Sequence, residues 1–261
     1  MTIAIGAADL LESIKLWRLW TLLGWLEIRQ RYSRSKLGPF WLTVSMGILV
    51  LSMGIVYGSL LGRPLKNYLP MLAIGVVVWA LFSQIVSEGS NAYIMSANYI
   101  KQVKTPRLIY ILQVSWKNLV IFGHNAIIIL GVLFFTGLDG GASSLLFIPG
   151  LILLVLNATW LAGLSGIISA RFRDFPQIIQ ALLQVAFFIT PILFDAKMLG
   201  ERDWIAKYNP LTYLINVVRE PLLGILPSAI SWTISLSMAG FGWLAVFYLT
   251  GKYCKRIPYW V

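Results

Sequence analysis

The chain has very little of what enzymes use for chemistry. Its 261 residues include one cysteine, Cys254, one histidine, His124, and ten acidic residues. A single cysteine excludes an internal disulfide, and a histidine without a second His or Cys nearby excludes the usual kind of metal site. The sequence also lacks a G-x-x-x-x-G-K-[ST] loop and a glycine-rich dinucleotide fingerprint. We therefore expect no cofactor or metal on this chain, and an enzyme is the weaker interpretation.

Charge is scarce as well, because only 12% of the residues are charged whereas 58% are hydrophobic. Soluble domains carry about 25% charged and about 45–50% apolar residues. A helix needs about 20 apolar residues to cross a bilayer. We predict an all-α integral membrane protein with six transmembrane helices, at about Pro39–Leu61, Leu69–Val86, Leu119–Thr136, Leu145–Ala170, Ile178–Phe194 and Ile230–Leu249.

Few polar groups interrupt these spans, and none is a carboxylate near mid-membrane, which argues against a proton-coupled carrier. His124 and Asn125 lie inside the third span, where they either line a pathway or, as we favour, hydrogen-bond between helices. Glu88 and Lys117 lie near the ends of neighbouring spans and could form an ion pair.

The basic residues predict the orientation of the chain. They give a formal net charge of +11 but sit in short stretches between apolar segments, so nucleic acid is not an expected partner. Lys and Arg collect on the cytoplasmic side of short loops, and most of them here lie before the first span and after the second, fourth and last spans. We predict a multi-pass protein of the inner membrane with both termini in the cytoplasm. No cleaved signal peptide is expected.

Three segments outside the spans are informative. The apolar run within Asp9–Tyr32 is too short to cross a membrane, and basic residues and tryptophans flank it. This pattern predicts a helix in the cytoplasmic interface, which serves either as an anchor or as a recognition element. The polar connection Glu88–Arg107 predicts a short helix capped at Asn91, with a solvated loop as the alternative. The outer connection Asp195–Ser228 holds two short apolar pieces, Leu211–Val218 and Leu222–Leu226, interrupted by prolines, which predict re-entrant helices forming an outer gate.

The domain organisation follows from these segments. We predict a single transmembrane domain over residues 1–261, with the interfacial helix in 1–36, spans one to five in 37–194, the outer gate loop in 195–228, and the last span and cytoplasmic tail in 229–261. Sugar rings stack on aromatic side chains, so Tyr57, Trp79 and Phe82 are candidate pore-lining residues. The alternative is that these rings pack against lipid or another helix.

Four sequence stretches, taken together, resemble one family over essentially the whole chain. They are RYSRSKLGPFW at Arg31–Trp41, NYIKQVKTPRL at Asn98–Leu108, RFRDFPQI at Arg171–Ile178, and YNPLTYLINVVREPLLG at Tyr208–Gly224, which TPILF precedes. Their order and spacing resemble the permease subunit of polysaccharide-exporting ABC transporters of the type-2 exporter class. The pair His124–Asn125 is most similar to the O-antigen, or lipopolysaccharide, export branch.

The resemblance implies a homodimer of this permease with two copies of a separate ATP-binding cassette subunit, which would hold the ATP and Mg. It implies a substrate built on a polyprenyl-diphosphate lipid: an O-antigen or, as alternatives, a capsular polysaccharide or a teichoic acid. Small-molecule efflux and a membrane enzyme of lipid-linked glycan assembly are further alternatives.

The resemblance also implies roles for particular residues. A coupling helix at about Asn91–Lys101 would dock on the ATPase, with contacts from Asn91, Ala92, Tyr93, Met95, Ser96 and Tyr99. The exit would be closed by residues of Tyr208–Gly224, among them Asn209, Pro210, Thr212 and Tyr213. The basic cluster Arg31, Arg34 and Lys36 is a hypothetical site for the lipid diphosphate, since Arg suits phosphate contact; simple positive-inside topology explains it equally well.

Overall fold

The computed structural model describes residues 2–32, 40–138 and 141–261, and within those ranges the regular structure is entirely helical. Short 3-10 helices lie at Gly141–Leu146 and Ala196–Arg202. The α-helices are α1 (Thr2–Lys15), α2 (Trp17–Tyr32), α3 (Phe40–Leu60), α4 (Leu65–Met95), α5 (Ala97–Gln102), α6 (Ile109–Thr136), α7 (Phe147–Arg171), α8 (Phe175–Ile189), α9 (Trp204–Tyr208), α10 (Pro210–Leu222), α11 (Ala229–Tyr253) and α12 (Ile257–Trp260).

Among the described residues, five helical stretches are long and apolar enough to cross a membrane, and they contain α3, α4, α6, α7 and α11. The predicted fifth span, Ile178–Phe194, is instead the 15-residue helix α8 followed by a non-helical turn. Such a helix is about 22 Å long, whereas the hydrocarbon core is about 30 Å thick. The helix ends because Thr190 precedes Pro191 and adopts an extended conformation with ψ 134°.

Helix α4 occupies the centre of the bundle, between α6 and α7. Its contact with α7 depends on small residues: a side chain at Gly89 would meet Ala162, and one at Gly166 would meet the carbonyl oxygen of Gly89. Lipid tails are as apolar as leucine, so helices in a membrane associate through such close packing. The small residues therefore explain why α4 is the most deeply buried of the long helices.

The connection 195–228 contains one buried helix, α10, where the sequence predicted two short re-entrant pieces. Pro221 lies in its last turn, and Gly224 follows with φ +77°, so the predicted second piece Leu222–Leu226 is mostly not helical. The chain can turn there because glycine adopts positive φ without steric cost. α10 packs against α4, α7 and α11, and Gly150 leaves room for the backbone of Val217.

The N-terminal segment forms two helices, α1 and α2, instead of the single helix predicted over Asp9–Tyr32. Helix α1 packs closely on α11, where Gly6 meets the backbone of Phe247 and Gly251 meets that of Thr2. Asp9 accepts hydrogen bonds from the backbone N–H groups of Arg107 (2.8 Å) and Leu108 (2.9 Å) at the start of α6. Burial raises the pKa of the Asp9 carboxyl, and these two bonds act in the opposite direction.

Candidate functional site: a polar groove and its side cavity

A polar stripe runs along one face of α4. It consists of Ser83, Gln84, Ser87, Glu88 and Asn91, whose spacing of one, three and four residues places them on the same side of a helix. The first four of these residues line an open groove of about 630 Å³ between α4, α3 and α8, which also reaches α6. An apolar helix thus presents hydrogen-bonding groups to a cavity large enough for a ligand.

Helix α8 forms the opposite wall of the groove. Gln180 and Gln184, one turn apart, line it together with Leu183, Phe187 and Phe188. The Phe187 ring lies 6.0 Å from the ring of Trp79 on α4. The groove therefore combines amide and hydroxyl groups with aromatic rings, which suits a ligand that has both polar edges and apolar faces.

A second cavity of about 820 Å³, here called the side cavity, lies between α2, α4, α5 and α6. Its apolar wall includes Leu19, Leu23 and Leu26 of α2. Residues Ser87, Glu88 and Gln180 line both the side cavity and the groove, so the two spaces meet at this point.

An ion cluster lies where the two spaces meet. The ammonium group of Lys117 on α6 is 2.7 Å from a carboxylate oxygen of Glu27 on α2 and 3.0 Å from one of Glu88 on α4. Gln113 donates a further hydrogen bond to Glu27, and Asn118 donates one to Glu88 at 2.8 Å. Lys117 is almost buried, which is tolerable because it is paired with carboxylates. The cluster ties three helices together.

The pairing of Glu88 with Lys117 confirms the sequence prediction, whereas the participation of Glu27 was missed. Glu27 lies in the predicted interfacial segment, so its contact depends on how α2 packs on α6, where Gly24 lies against Gln113 and Trp116. The polar face of α8 was missed too. The spacing of Gln180 and Gln184, matching that of Gln84 and Glu88, was the available signal.

The non-helical turn after α8 is held by three polar side chains from other elements. Asn209 donates to the Thr190 hydroxyl at 2.9 Å, Arg219 donates to the Pro191 carbonyl at 2.7 Å, and the Tyr68 hydroxyl donates to the Leu193 carbonyl at 2.6 Å. These bonds satisfy polar groups of a buried turn. They connect the end of α8 to α10 and α4.

The predicted coupling residues divide into two groups. Asn91 lies inside α4, which continues to Met95, so it does not cap a separate helix. The side-chain amide of Asn91 donates to the carbonyl of Ser87, one turn earlier in the same helix, at 3.4 Å. Tyr93 is fully buried and packs edge-to-face on Tyr110, so the prediction that its side chain faces a partner was wrong.

The remaining coupling residues surround the break between α4 and α5. Ala92 is also buried, whereas Met95 is 81% exposed and Tyr99 is 64% exposed. Ser96 lies between the two helices. An exposed apolar surface therefore exists at this bend, carried by Met95, Tyr99 and Val103.

Other predicted residues are placed as follows. Trp79 lines the groove, Phe82 is buried in the core, and Tyr57 is partly buried against it. His124 bonds the carbonyl of Val120 in its own helix at 2.9 Å, so the interhelical bond favoured from the sequence is not made by this side chain. Asn125 is buried within the bundle.

The predicted gate residues lie at the start of α10. Asn209 caps the helix by accepting from the N–H of Leu211 at 3.0 Å, and Pro210 follows as its first residue. Thr212 is buried, and the Tyr213 hydroxyl donates to the carbonyl of Lys207 at 2.8 Å. Of the predicted basic cluster, Arg31 lies in the last turn of α2 without a described side chain, and Arg34 and Lys36 lie outside the described residues.

Together, these features define a polytopic helical membrane protein with a polar groove between its helices. The model of the ABC-2 type transporter family matches residues 18–223, which run from α2 to the end of α10. The chain therefore belongs to the ABC-2 type transporter family. Members of this family are the membrane subunits of transporters and work with an ATP-binding cassette subunit.

Several characterised proteins are similar over most of the chain. An O-antigen export system permease protein RfbA of Klebsiella pneumoniae is 24% identical over 233 residues, covering 86% of this chain and 83% of that protein. A second protein of that name and organism is 25% identical over 200 residues, covering 74% and 76%. The RfbA permease of Myxococcus xanthus is 24% identical over 197 residues, covering 73% and 74%.

Proposed function

We propose that this chain is the membrane-spanning permease subunit of an ATP-driven exporter that moves a polyprenyl-diphosphate-linked polysaccharide, an O-antigen, across the cytoplasmic membrane. The observation that carries the proposal is the polar groove on α4 and α8 within a family of transporter membrane subunits. The names of the similar proteins support the choice of O-antigen.

The groove supplies what a glycan needs in order to cross hydrocarbon. Hydroxyl groups that lose water without gaining a partner cost several kcal/mol each, about 2–7 depending on the reference state. Ser83, Gln84, Gln180 and Gln184 can exchange hydrogen bonds with hydroxyls, and the rings of Trp79 and Phe187 can stack on the apolar faces of sugars. The glycan would pass from the side cavity into the groove at Glu88.

A second copy of the chain would close the groove. Helix α3 has only 11% of its most apolar stretch buried, and α8 buries only Pro176 and Ile179. Both helices border the groove, so pairing of these faces in a homodimer would enclose a channel between the two copies. An enclosed pathway is needed because an open groove would expose the glycan to lipid.

In the proposed topology, the chain crosses the membrane six times. Helix α8 with the turn Thr190–Phe194 would complete the fifth crossing, which places both termini in the cytoplasm of a cell with an inner membrane. Two ATP-binding cassette subunits would hold ATP and Mg and dock at the bend between α4 and α5. The exposed Met95 and Tyr99 and the intervening Ser96 would form the contact, positioned by Asn91, Ala92 and Tyr93 behind them.

The ends of the pathway have proposed roles as well. Arg31, Arg34 and Lys36 would receive the lipid diphosphate next to α2, since Arg forms bidentate bonds with phosphate. Asn209, Pro210, Thr212 and Tyr213 would form the outer gate at the start of α10. The hydrogen bond from Asn209 to Thr190 would make the gate and the end of α8 move together.

The first test is purification of the tagged chain from native membranes, followed by identification of the proteins that come with it. A stoichiometric ATP-binding cassette subunit, together with ATP-dependent export of a lipid-linked glycan by the reconstituted complex, supports the proposal. A chain that purifies alone and turns over a glycolipid would favour a membrane enzyme. Stimulation of the ATPase by hydrophobic drugs instead of glycolipid would favour small-molecule efflux.

The docking surface can be tested separately with Met95→Glu and Tyr99→Glu. Both residues are exposed, so the chain should fold normally while the ATPase subunit is lost on purification. Tyr208→Glu is the matched control, because Tyr208 is 83% exposed and lies on α9, which packs against α10. Retention of the ATPase by all three variants would exclude the bend as the docking surface.

A further inference from the structure

We infer that a basic and aromatic surface at one end of α7 and α11, here called the tail patch, binds the headgroup of an anionic phospholipid. The tail patch consists of Arg171, Lys252, Tyr253, Lys255, Arg256 and Trp260. The inference rests on the proposed function for its topology, which places this end of both helices at the cytoplasmic leaflet. The ligand is a lipid of the bilayer itself and is distinct from the exported glycolipid.

The tail patch lies at the level where lipid headgroups are found. Helices α7 and α11 pack side by side and run in the same direction, because Asn157 donates to the Ser235 carbonyl and Gly163, further along α7, lies against Val246. Each helix carries a basic residue of the tail patch in its last turn. Both helices are long and apolar enough to cross a membrane, so these last turns emerge from the hydrocarbon together.

A line of cations and aromatic rings joins the two helix ends. The guanidinium carbon of Arg171 lies 5.6 Å from the centre of the Trp260 ring, and that ring lies 5.2 Å from the ring of Tyr253. The ammonium group of Lys252 lies 5.4 Å from the centre of the Tyr253 ring on the other side of the pair. Two cations therefore flank two rings, and all four side chains reach the surface. Trp and Tyr are enriched at the headgroup level because one end of each ring is apolar and the other is polar.

The segment after α11 is anchored, so the tail patch is preorganised. Ile257 is fully buried, Val261 is only 5% exposed, and α12 packs on α7 and α5. Lys255 and Arg256 are exposed on the link between α11 and α12. Because the backbone is fixed on both sides of this link, these side chains lose less freedom when a ligand binds. A guanidinium group among them suits a phosphate, which it can bind through two hydrogen bonds.

The charge of the tail patch is complementary to an anionic headgroup. The ion pairs found among the described residues connect other side chains, and none of them includes a basic residue of the tail patch. Arg173 and Asp174, which follow α7, are both exposed, and their charges offset each other. A cluster of Lys and Arg at the cytoplasmic end of a membrane helix attracts anionic phospholipids. The position, the rings and the charge therefore favour the same ligand.

The test titrates the purified protein, in a neutral detergent, with phosphatidylglycerol or phosphatidylcholine, and native mass spectrometry counts the bound lipids. We expect phosphatidylglycerol to bind at least about tenfold more tightly, since each nearby cation contributes about fivefold. Arg171→Gln/Lys252→Gln should lower the affinity for phosphatidylglycerol about tenfold or more, because two of these cations are lost. The affinity for phosphatidylcholine should stay unchanged.

A control variant with the same loss of charge separates a local site from general attraction. Lys15→Gln/Lys104→Gln removes two exposed cations from other segments on the same side of the proposed topology, and it should change the affinity less than about threefold. Cations in the last turn also stabilise a helix through its dipole, and a role confined to the helix would leave the preference between the two lipids unchanged. Should the first variant fail to fold, Lys255→Gln/Arg256→Gln, on the exposed link, should lower the affinity in the same way.

The outcomes are distinct. Equal affinities for the two lipids, or equal effects of the tail-patch and control variants, would overturn the binding site. Displacement of the lipid by an equal concentration of free glycerol phosphate would show that the tail patch takes a soluble phosphate, which would overturn the lipid assignment. Binding is measured without ATP or glycan, so neither result bears on export. A complex that binds phosphatidylglycerol selectively but exports no glycan would overturn the proposed function alone.

Discussion

Helices α3 and α4 have similar hydropathy but very different surroundings. In α4, 78% of the most apolar stretch is buried in the bundle, against 11% in α3. Hydropathy measures only the preference for leaving water, and both lipid and protein satisfy that preference. The difference arises from shape, because glycine contacts such as that of Gly89 with Ala162 let neighbouring helices approach α4 closely. Burial in this membrane protein therefore follows close packing.

Helix α8 belongs with α3 on the open side of the bundle but differs from it at one end. Most of its surface is uncovered, whereas the turn that follows it is held by Asn209, Arg219 and Tyr68. A helix fixed at one end and free along its face is suited to change position when a second copy or a substrate packs on it.

The largest expected effect comes from placing a side chain in the contact between α4 and α7. In Gly89→Val, the new atoms would meet Ala162, whose Cα would lie 3.0 Å from the added Cβ. We expect a loss of about 3 kcal/mol in the free energy of unfolding, at the upper end for overpacking. Denaturant unfolding of the purified protein in detergent measures it.

The matched control on the open side is Gly47→Val in α3. The nearest neighbour of its added Cβ is the Cδ1 atom of Ile128 at 4.0 Å, so the change should stay within about 0.5 kcal/mol. Equal losses for the two variants would show that α3 is as tightly packed as α4.

The ion cluster should have the next largest effect. Lys117→Met keeps most of the length of the side chain but removes the ammonium group that Glu27 and Glu88 share, and we expect the free energy of unfolding to fall by about 2 kcal/mol. This lies below the about 3–5 kcal/mol of fully buried pairs because both carboxylates are partly exposed. Glu27→Gln, which leaves Glu88 paired, should lose only about 0.5–1 kcal/mol. If Glu27→Gln proved as damaging as Lys117→Met, the buried ammonium would not be the centre of the cluster.

The hydrogen bonds that hold the turn after α8 can be weakened by a substitution at Asn209. Asn209→Ala removes both the cap of α10 and the hydrogen bond to Thr190, which should lower the free energy of unfolding by about 1–2 kcal/mol. Ser228→Ala removes a comparable cap from α11, where Ser228 accepts from Ser231, and should lose about 1 kcal/mol or less. Faster hydrogen exchange at Thr190–Phe194 in Asn209→Ala alone would confirm that Asn209 holds this turn in place. Identical exchange in both variants would argue against that role.

Two adjacent residues of α3 give the smallest and sharpest test. Val50 is fully buried against the bundle, whereas Leu51 is 50% exposed. In Val50→Ala, the cavity should lower the free energy of unfolding by about 1 kcal/mol. Leu51→Ala should lower it by less than about 0.5 kcal/mol, because lipid replaces the lost contacts. A large loss for Leu51→Ala in the unfolding of the monomer would mean that this face is covered within one chain.

The sequence predicted the long spans well because a long unbroken apolar run forms a helix that spans the membrane. It overestimated Ile178–Phe194, since hydropathy continues through Thr190–Phe194 while Pro191 ends the helix. It also placed the side chain of Tyr93 on a surface that faces a partner, because the polar residues around it suggested a short helix starting at Asn91, whereas α4 continues and buries the ring. The contact between Glu27 and Lys117 could not be predicted, because the two residues lie 90 positions apart in the chain.

What the sequence by itself determined is the class of molecule: a helical membrane protein whose four motifs indicate a transporter subunit. These follow from composition and local order, which need no knowledge of neighbours. The tertiary structure decided which faces meet. Glu27, Glu88 and Lys117 come together, and Gln180 and Gln184 line the groove with Gln84, because glycine contacts and ridge packing fix how the helices lie against one another. Helices that are apolar on every side carry too little asymmetry in their sequence to specify those rotations.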